Sequence, residues 1–211
     1  MTGTLYAIAD AEALDPRPLP EAVAEIAEGG IRWIQLRAKR SSGTAWYRAV
    51  EDCLRALEKS GVELWVDDRA DLAALFPVQG VHLGQTDLPP AAARRVVGRG
   101  VRIGLSTHSR EQLAAAAADP EVDVIAVGPV FPTASKERPD PVVGLPFVAE
   151  ARRRTAKPLV AIGGIDAGNV AEVLAAGADA AAVLGAVCRG DIRANCRRLL
   201  AAAARSGCAS S

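Results

Sequence analysis

The sequence predicts an α/β fold, a single-domain (β/α)8 TIM barrel, and three observations predict it. Eight short apolar runs, each followed by a helical segment, occupy 211 residues, a short but workable length for this fold. The runs show little polar–apolar alternation, as strands covered on both faces should. Polar residues or glycines follow almost every run. A doubly wound open sheet would gather them near one switch point, whereas a closed barrel carries a ring of loops at the strands' C-terminal ends. No linker or composition shift divides the chain, so the barrel is expected over 1–205, with a frayed tail at 206–211.

Strand one is Leu5 to Ala9, ending at Asp10. A Pro-rich loop follows, then an Ala-rich helix from about Pro20 to Glu28, closed by Gly29-Gly30. Strand two, Ile31 to Leu36, leads into Arg37 and Lys39. Thr44 is placed to cap the next helix, whose Trp46, Val50, Cys53, Leu54 and Leu57 recur at spacings of three and four. Strand three is Leu64 to Val66, ending in Asp67-Asp68-Arg69, before a short helix from Leu72 to Phe76. Strand four, Val81 to Leu83, ends in Gly84-Gln85-Thr86-Asp87 and precedes a helix from about Pro89 to Val97. Strand five, Arg102 to Leu105, ends in Ser106-Thr107-His108, and Ser109 caps a helix to about Ala118. Strand six, Val124 to Val127, opens a long polar loop over Pro129 to Val143, before a helix from about Pro146 to Thr155. Strand seven, Leu159 to Ile162, enters Gly163-Gly164, with a helix beginning near Asn169. Strand eight, Ala180 to Leu184, enters the turn Leu184-Gly185-Ala186. The last helix puts Ile192, Cys196, Leu199 and Leu200 on one face.

Twenty-five basic and 25 acidic residues leave no net charge, which argues against a general binder of nucleic acid or of anionic membranes. Lysine occurs only at 39, 59, 136 and 157. Cys53, Cys188, Cys196 and Cys208 form no C-x-x-C pair; Cys53 and Cys196 fall on apolar helix faces and read as buried free thiols. The start MTGTLYAIAD lacks a basic region followed by a long apolar run, so no signal peptide is expected. No apolar stretch approaches a bilayer-spanning length. A cytoplasmic location is expected.

Gln35, Arg37 and Lys39 alternate along the end of strand two and so share one face. Two cations facing one way suit a polyanion such as a diphosphate, although a solvated strand end would look the same. Asp68 and Asp87 end neighbouring strands, about 4.8 Å apart, and could share an ion. Mg²⁺ takes one or two carboxylates, keeps waters and completes its shell with phosphates; for either residue alone, helix capping is the plainer role. His82 reads as a hydrogen-bonded core histidine. His108 reads either as a helix-start residue or as a proton carrier. Thr133, Ser135 and Lys136, in a loop long enough to suggest function, suit phosphate oxygens. Gly163-Gly164 and Leu184-Gly185 suggest a phosphate cup, because glycine lets the backbone approach an anion and such sites commonly follow strands seven and eight.

Seven stretches in order then resemble one family. They are Tyr6-Ala7-Ile8; Gln35-Leu36-Arg37-Ala38-Lys39; Asp67-Asp68-Arg69-Ala70-Asp71-Leu72-Ala73; Val81 through Pro89; Gly104 through Ser109; Gly128 through Lys136; and Ile162-Gly163-Gly164-Ile165. Together they resemble the motif set of thiamine phosphate synthases, over nearly the whole chain. The resemblance implies a (β/α)8 transferase (EC 2.5.1.3). It would join hydroxymethylpyrimidine diphosphate to (carboxy)methylthiazole ethyl phosphate, giving thiamine monophosphate and diphosphate, with Mg²⁺. It implies that Gln35, Leu36, Arg37, Ala38, Lys39, Asp67, Ser106 and Lys136 hold the pyrimidine diphosphate and that Asp68 and Asp87 hold Mg²⁺. Thr133, Ala134, Ser135, Gly164, Leu184 and Gly185 would hold the thiazole phosphate. It also implies that the pyrimidine–diphosphate bond ionises first. Arg37, Lys39 and Lys136 would stabilise the departing diphosphate beside Ser106, before the thiazole nitrogen attacks. Four positions depart from the family pattern: Ala38 replaces the usual Glu, Asp67 the usual Asn, Gly185 a frequent Ser, and Ala134 offers only backbone contact between Thr133 and Ser135. The rival readings are a thiazole tautomerase of the same fold using His108, and a non-catalytic barrel that binds phosphate ligands.

Overall fold

Eight parallel strands close into a barrel in chain order. The structure is a computed structural model, which describes residues 5–133 and 140–205. The strands are β1 (Leu5–Asp10), β2 (Trp33–Arg37), β3 (Glu63–Asp67), β4 (Gly80–Leu83), β5 (Arg102–Thr107), β6 (Val124–Val127), β7 (Leu159–Ile162) and β8 (Ala180–Val183), the last pairing back onto β1. Around them run α1 (Ala11–Leu14), α2 (Leu19–Glu28), α3 (Gly43–Ala56), α4 (Ala70–Leu75), α5 (Pro90–Val97), α6 (Arg110–Ala118), α7 (Gly144–Arg154), α8 (Val170–Ala175), α9 (Gly185–Cys188) and α10 (Ile192–Ala203). Among the described residues, no helix is long and apolar enough to cross a membrane.

The strands lie where the apolar runs predict, most of them a residue longer or shifted at an end. Three local expectations need correction. Ser42, not Thr44, caps α3, its side chain accepting from the Ala45 N–H. The Pro-rich stretch after β1 begins with a helical turn, α1, capped by Asp10. The glycine turn at Gly185 opens another short helix, α9. Both turns hold only four residues, too few for a periodic pattern to register. The expected tail at 206–211 lies outside the described residues.

Side chains alternate across each strand, so the barrel has two cores. The outer one lies between strands and helices and takes Ile34, Leu36, Leu64, Val66 and the helix faces, including Trp46, Val50 and Cys53 of α3. The inner one fills the barrel and is lopsided. Tyr6 stacks on Trp33 with ring centroids 3.9 Å apart, and Trp65 meets Trp33 edge-on at 5.4 Å. The facing wall is small: Ala126, Ala180 and Ala182. Glycines make room beside the rings, since a Cβ on Gly80 would lie 2.4 Å from Trp65. Beneath the rings, Arg102 lies 5.4 Å from the Trp65 ring centroid and pairs with Glu63 at 2.5 Å.

The end of the barrel where the strands begin is stapled by a recurring device. Gln79, Asp123 and Asp179 directly precede β4, β6 and β8. Their side chains accept the backbone N–H of Leu64, Ile103 and Leu159 on the preceding strands, at 2.7, 2.8 and 2.7 Å. Arg94 of α5 is buried there, donating to Glu121 and Asp123 and to the carbonyls of Gly98 and Val101. A closed aromatic plug and a stapled base leave the strands' C-terminal ends as the open mouth.

Candidate active site

At that mouth β1, β2 and β3 bring Asp10, Arg37 and Asp67 to one level. Asp10 and Arg37 are direct register partners, and both lie two residues beyond an inward-facing pair. Arg37 Nη1 donates to the Asp10 carboxylate, and its Nε lies 3.5 Å from Asp67 Oδ2. Lys39 Nζ bonds to Asp68 and lies 3.3 Å from Asp67 Oδ2. The alternation along β2 therefore carries through: Gln35 below, then Arg37, then Lys39. Gln35 is buried, however, and donates to the Tyr6 hydroxyl at 2.8 Å. Leu36, on the other parity, packs into the outer core, leaving only its backbone for a ligand. Ala38 is half-buried where β2 ends.

Asp68 has φ +60, a left-handed conformation uncommon outside glycine and most tolerated by Asn and Asp. It does not cap α4, which starts after Arg69 without a side-chain cap. Asp87 likewise does not cap α5; its Oδ2 folds back to accept the Gly84 N–H at 2.7 Å. Instead, Asp87 lies close enough to Asp68 to act on it: burial, then Asp87, raises the Asp68 pKa against the opposing pull of Lys39. Burial, then Asp68, pushes the Asp67 carboxyl up to about 6, with Lys39 and Arg37 opposing. Burial weakens the Lys39 charge, but Asp67 and Asp68 outweigh it and raise its pKa. Among the described residues the carboxylates of Asp10, Glu12, Asp67, Asp68 and Asp87 outnumber the cations Arg37, Lys39 and Arg69 beside them. Two neighbouring carboxylates, neither capping a helix, fit a divalent cation that completes its shell with water and phosphate. No group of three or more His, Cys, Asp or Glu side chains among the described residues forms a self-sufficient metal cage.

On β5, Ser106 Oγ lies 2.9 Å from His82 Nε2, and its carbonyl accepts from Gln85 Nε2 at 2.6 Å. His82 is thus the hydrogen-bonded core histidine expected. His108 Nδ1 lies 2.7 Å from the Gly128 carbonyl and Nε2 is 3.5 Å from Asp140 Oδ2; the cap of α6 is Ser109.

Across the mouth, β7 lies four strands from β3, on the opposite side of the ring. Gly164 has φ +63, and a Cβ there would lie 2.5 Å from the Pro132 carbonyl oxygen. The loop after β6 runs alongside, the Val130 and Phe131 N–H groups donating to the Ile162 and Gly163 carbonyls at 2.8 and 3.0 Å. Gly185 opens α9 after Leu184, and a Cβ on it would meet nothing within 4 Å. Thr133 ends the described part of this loop; Ala134, Ser135 and Lys136 lie outside the described residues. Asp10 and Glu12 carry no role in the sequence reading. The available signal was the position of Asp10 at a strand end, level with Arg37.

A closed parallel barrel with cations and carboxylates converging at its C-terminal mouth defines an enzyme scaffold for charged ligands. The family profile described as Thiamine monophosphate synthase matches residues 5–187, and the chain belongs to that family. It is 45% identical over 184 residues to a thiamine-phosphate synthase of Koribacter versatilis, covering 85% of this chain and 86% of the relative. Against the Methanocella arvoryzae thiamine-phosphate synthase it is 41% identical, covering 93% of each. The solved thiamine phosphate pyrophosphorylase of Pyrococcus furiosus superposes with TM-score 0.87 at 31% identity, covering 96% of both chains. A native KDPGal structure, 14% identical with TM-score 0.75, shares the fold alone.

Proposed function

We infer that the family's reaction runs here on two anion sites facing each other across the barrel mouth. The chain is a thiamine-phosphate synthase, a transferase of the pyrimidinylmethyl group. The observation that carries the site assignment is the meeting of Lys39 with Asp68, of the Asp68/Asp87 pair that caps no helix, beside Arg37 on Asp67. Arg37 and Lys39 bind the pyrimidine diphosphate, with Lys136 and Ser106. As the C–O bond to the diphosphate breaks, the electron pair leaves with the diphosphate, and fixed cations are most effective where such charge develops. The thiazole nitrogen then attacks the methylene carbon. Asp68 and Asp87 would hold Mg²⁺, which would supply positive charge to the departing diphosphate. Lys39 bonds to Asp68 and would be free to turn to the diphosphate if a cation neutralised the pair. Thr133, Ala134, Ser135, Gly164, Leu184 and Gly185 take the thiazole phosphate. No side-chain nucleophile is required, and a cytoplasmic location goes with such a biosynthetic role.

Asp68→Ala and Lys136→Ala are expected to abolish thiamine phosphate formation while circular dichroism shows a folded barrel. Full activity in either variant would remove that residue from the site.

A further inference from the structure

We propose that Asp10, at the end of β1, is a positioning residue that aims the Arg37 guanidinium at the diphosphate. The proposal rests on the assignment of Arg37 and Lys39 to that anion. Asp10 is only 3% exposed, so it is poorly placed to meet a ligand itself. Its two oxygens have separate tasks. Oδ1 accepts the Ala13 N–H at 2.8 Å and so starts α1, while Oδ2 accepts from Arg37 Nη1. Asp10 and Arg37 are register partners, so the bond joins two adjacent strands at one level.

The turn that Asp10 starts extends the brace along the next strand's loop. Glu12 accepts the Arg40 N–H at 3.0 Å and the Lys39 N–H at 3.4 Å. The first βα turn therefore fixes the guanidinium of Arg37 through Asp10 and the backbone of Lys39 and Arg40 through Glu12. Asp67 braces Arg37 from the other side through Nε. An arginine with a long flexible stem, held at two nitrogens from two neighbouring strands, is set in one orientation before the substrate arrives. Such pre-organisation is where catalytic geometry is most sensitive.

Simple electrostatics predicts the reverse of this proposal. Asp10 is an anion near a diphosphate site, so removing its charge would tighten diphosphate binding if orientation did not matter.

Asp10→Asn separates the two. Asparagine is as good a helix N-cap as aspartate, so Oδ1 can still start α1, and its amide NH₂ then faces Arg37. The expected result is a rise of about tenfold or more in KM for the pyrimidine diphosphate, with KM for the thiazole phosphate little changed. Arg37→Met should give a similar rise, and the double variant should be no worse than Arg37→Met alone, the non-additivity of a coupled pair. If Arg37→Met raises that KM but Asp10→Asn leaves or lowers it, the positioning role is overturned while the diphosphate site stands. If Arg37→Met itself leaves that KM unchanged, the site assignment and the positioning role fall together. Equal loss towards both substrates with a lowered thermal midpoint makes Asp10 structural and also overturns the proposal.

Discussion

At Asp67 one carboxylate oxygen lies 3.5 Å from Arg37 Nε and 3.3 Å from Lys39 Nζ, beside the two cations assigned to the diphosphate. Its pKa is pushed to about 6 by burial and by Asp68, more than Lys39 and Arg37 can offset. A carboxyl with a raised folded-state pKa destabilises the folded state once pH climbs past its unfolded value near 4, and the cost is complete above about 6. Asp67→Asn, which removes that charge, should therefore stabilise the metal-free protein at pH 7.5 by roughly 1–3 kcal/mol. The gain should shrink towards zero near pH 4. Urea unfolding at both pH values in chelator-containing buffer checks it; a gain independent of pH would contradict the charge-based account. Gly185 is a second residue with a local prediction. A Cβ there meets open space, and the backbone is not in the left-handed region. Gly185→Ser should leave stability within about 0.5 kcal/mol and lower KM for the thiazole phosphate by supplying a hydroxyl donor. An unchanged KM would place that phosphate elsewhere.

Among the elements, the base of the barrel carries stability and the mouth carries chemistry. Arg94 satisfies the Glu121 and Asp123 carboxylates and three carbonyls from a buried position. Arg94→Met should cost about 2–3 kcal/mol in chemical denaturation, because Asp123 loses its cation and buried carbonyls lose their donor, while Glu121 keeps Arg99. The kcat of the protein that remains folded should be unchanged, since the staple lies at the far end from the mouth. A selective fall in kcat would show that the two ends are coupled. The strands themselves were legible, because strands covered on both faces read as apolar runs and each ends in a polar or glycine signal. The staples were not, because they join residues 15, 20 and 20 positions apart through a strand order that only the closed barrel supplies. The four-residue helices were hidden for a different reason: a single turn has no period.

Over the whole molecule, the barrel sets β2 and β3 with their charges opposite β7 with its glycine turn. That arrangement suits two phosphate-bearing substrates meeting between the two sites. Much of it was readable. Gln35, Arg37 and Lys39 alternate, and Asp68 and Asp87 do come together. The competing role of helix capping could be dismissed only once neither side chain was seen at a cap. Gly164 was read as a close approach of backbone to an anion, and the structure adds another approach: its missing Cβ makes room for Phe131 and Pro132. Packing of this kind between two loops leaves no mark on a single sequence. Nor does the brace from Asp10 to Arg37, whose partners lie 27 residues apart.

The most direct test is to give the purified chain the pyrimidine diphosphate and the thiazole phosphate together, with and without Mg²⁺, and to measure thiamine phosphate and diphosphate. Equal amounts of both products are expected, with formation lost on chelation and in folded Asp68→Ala. No thiamine phosphate, together with isomerisation of the thiazole that depends on His108, would contradict the account.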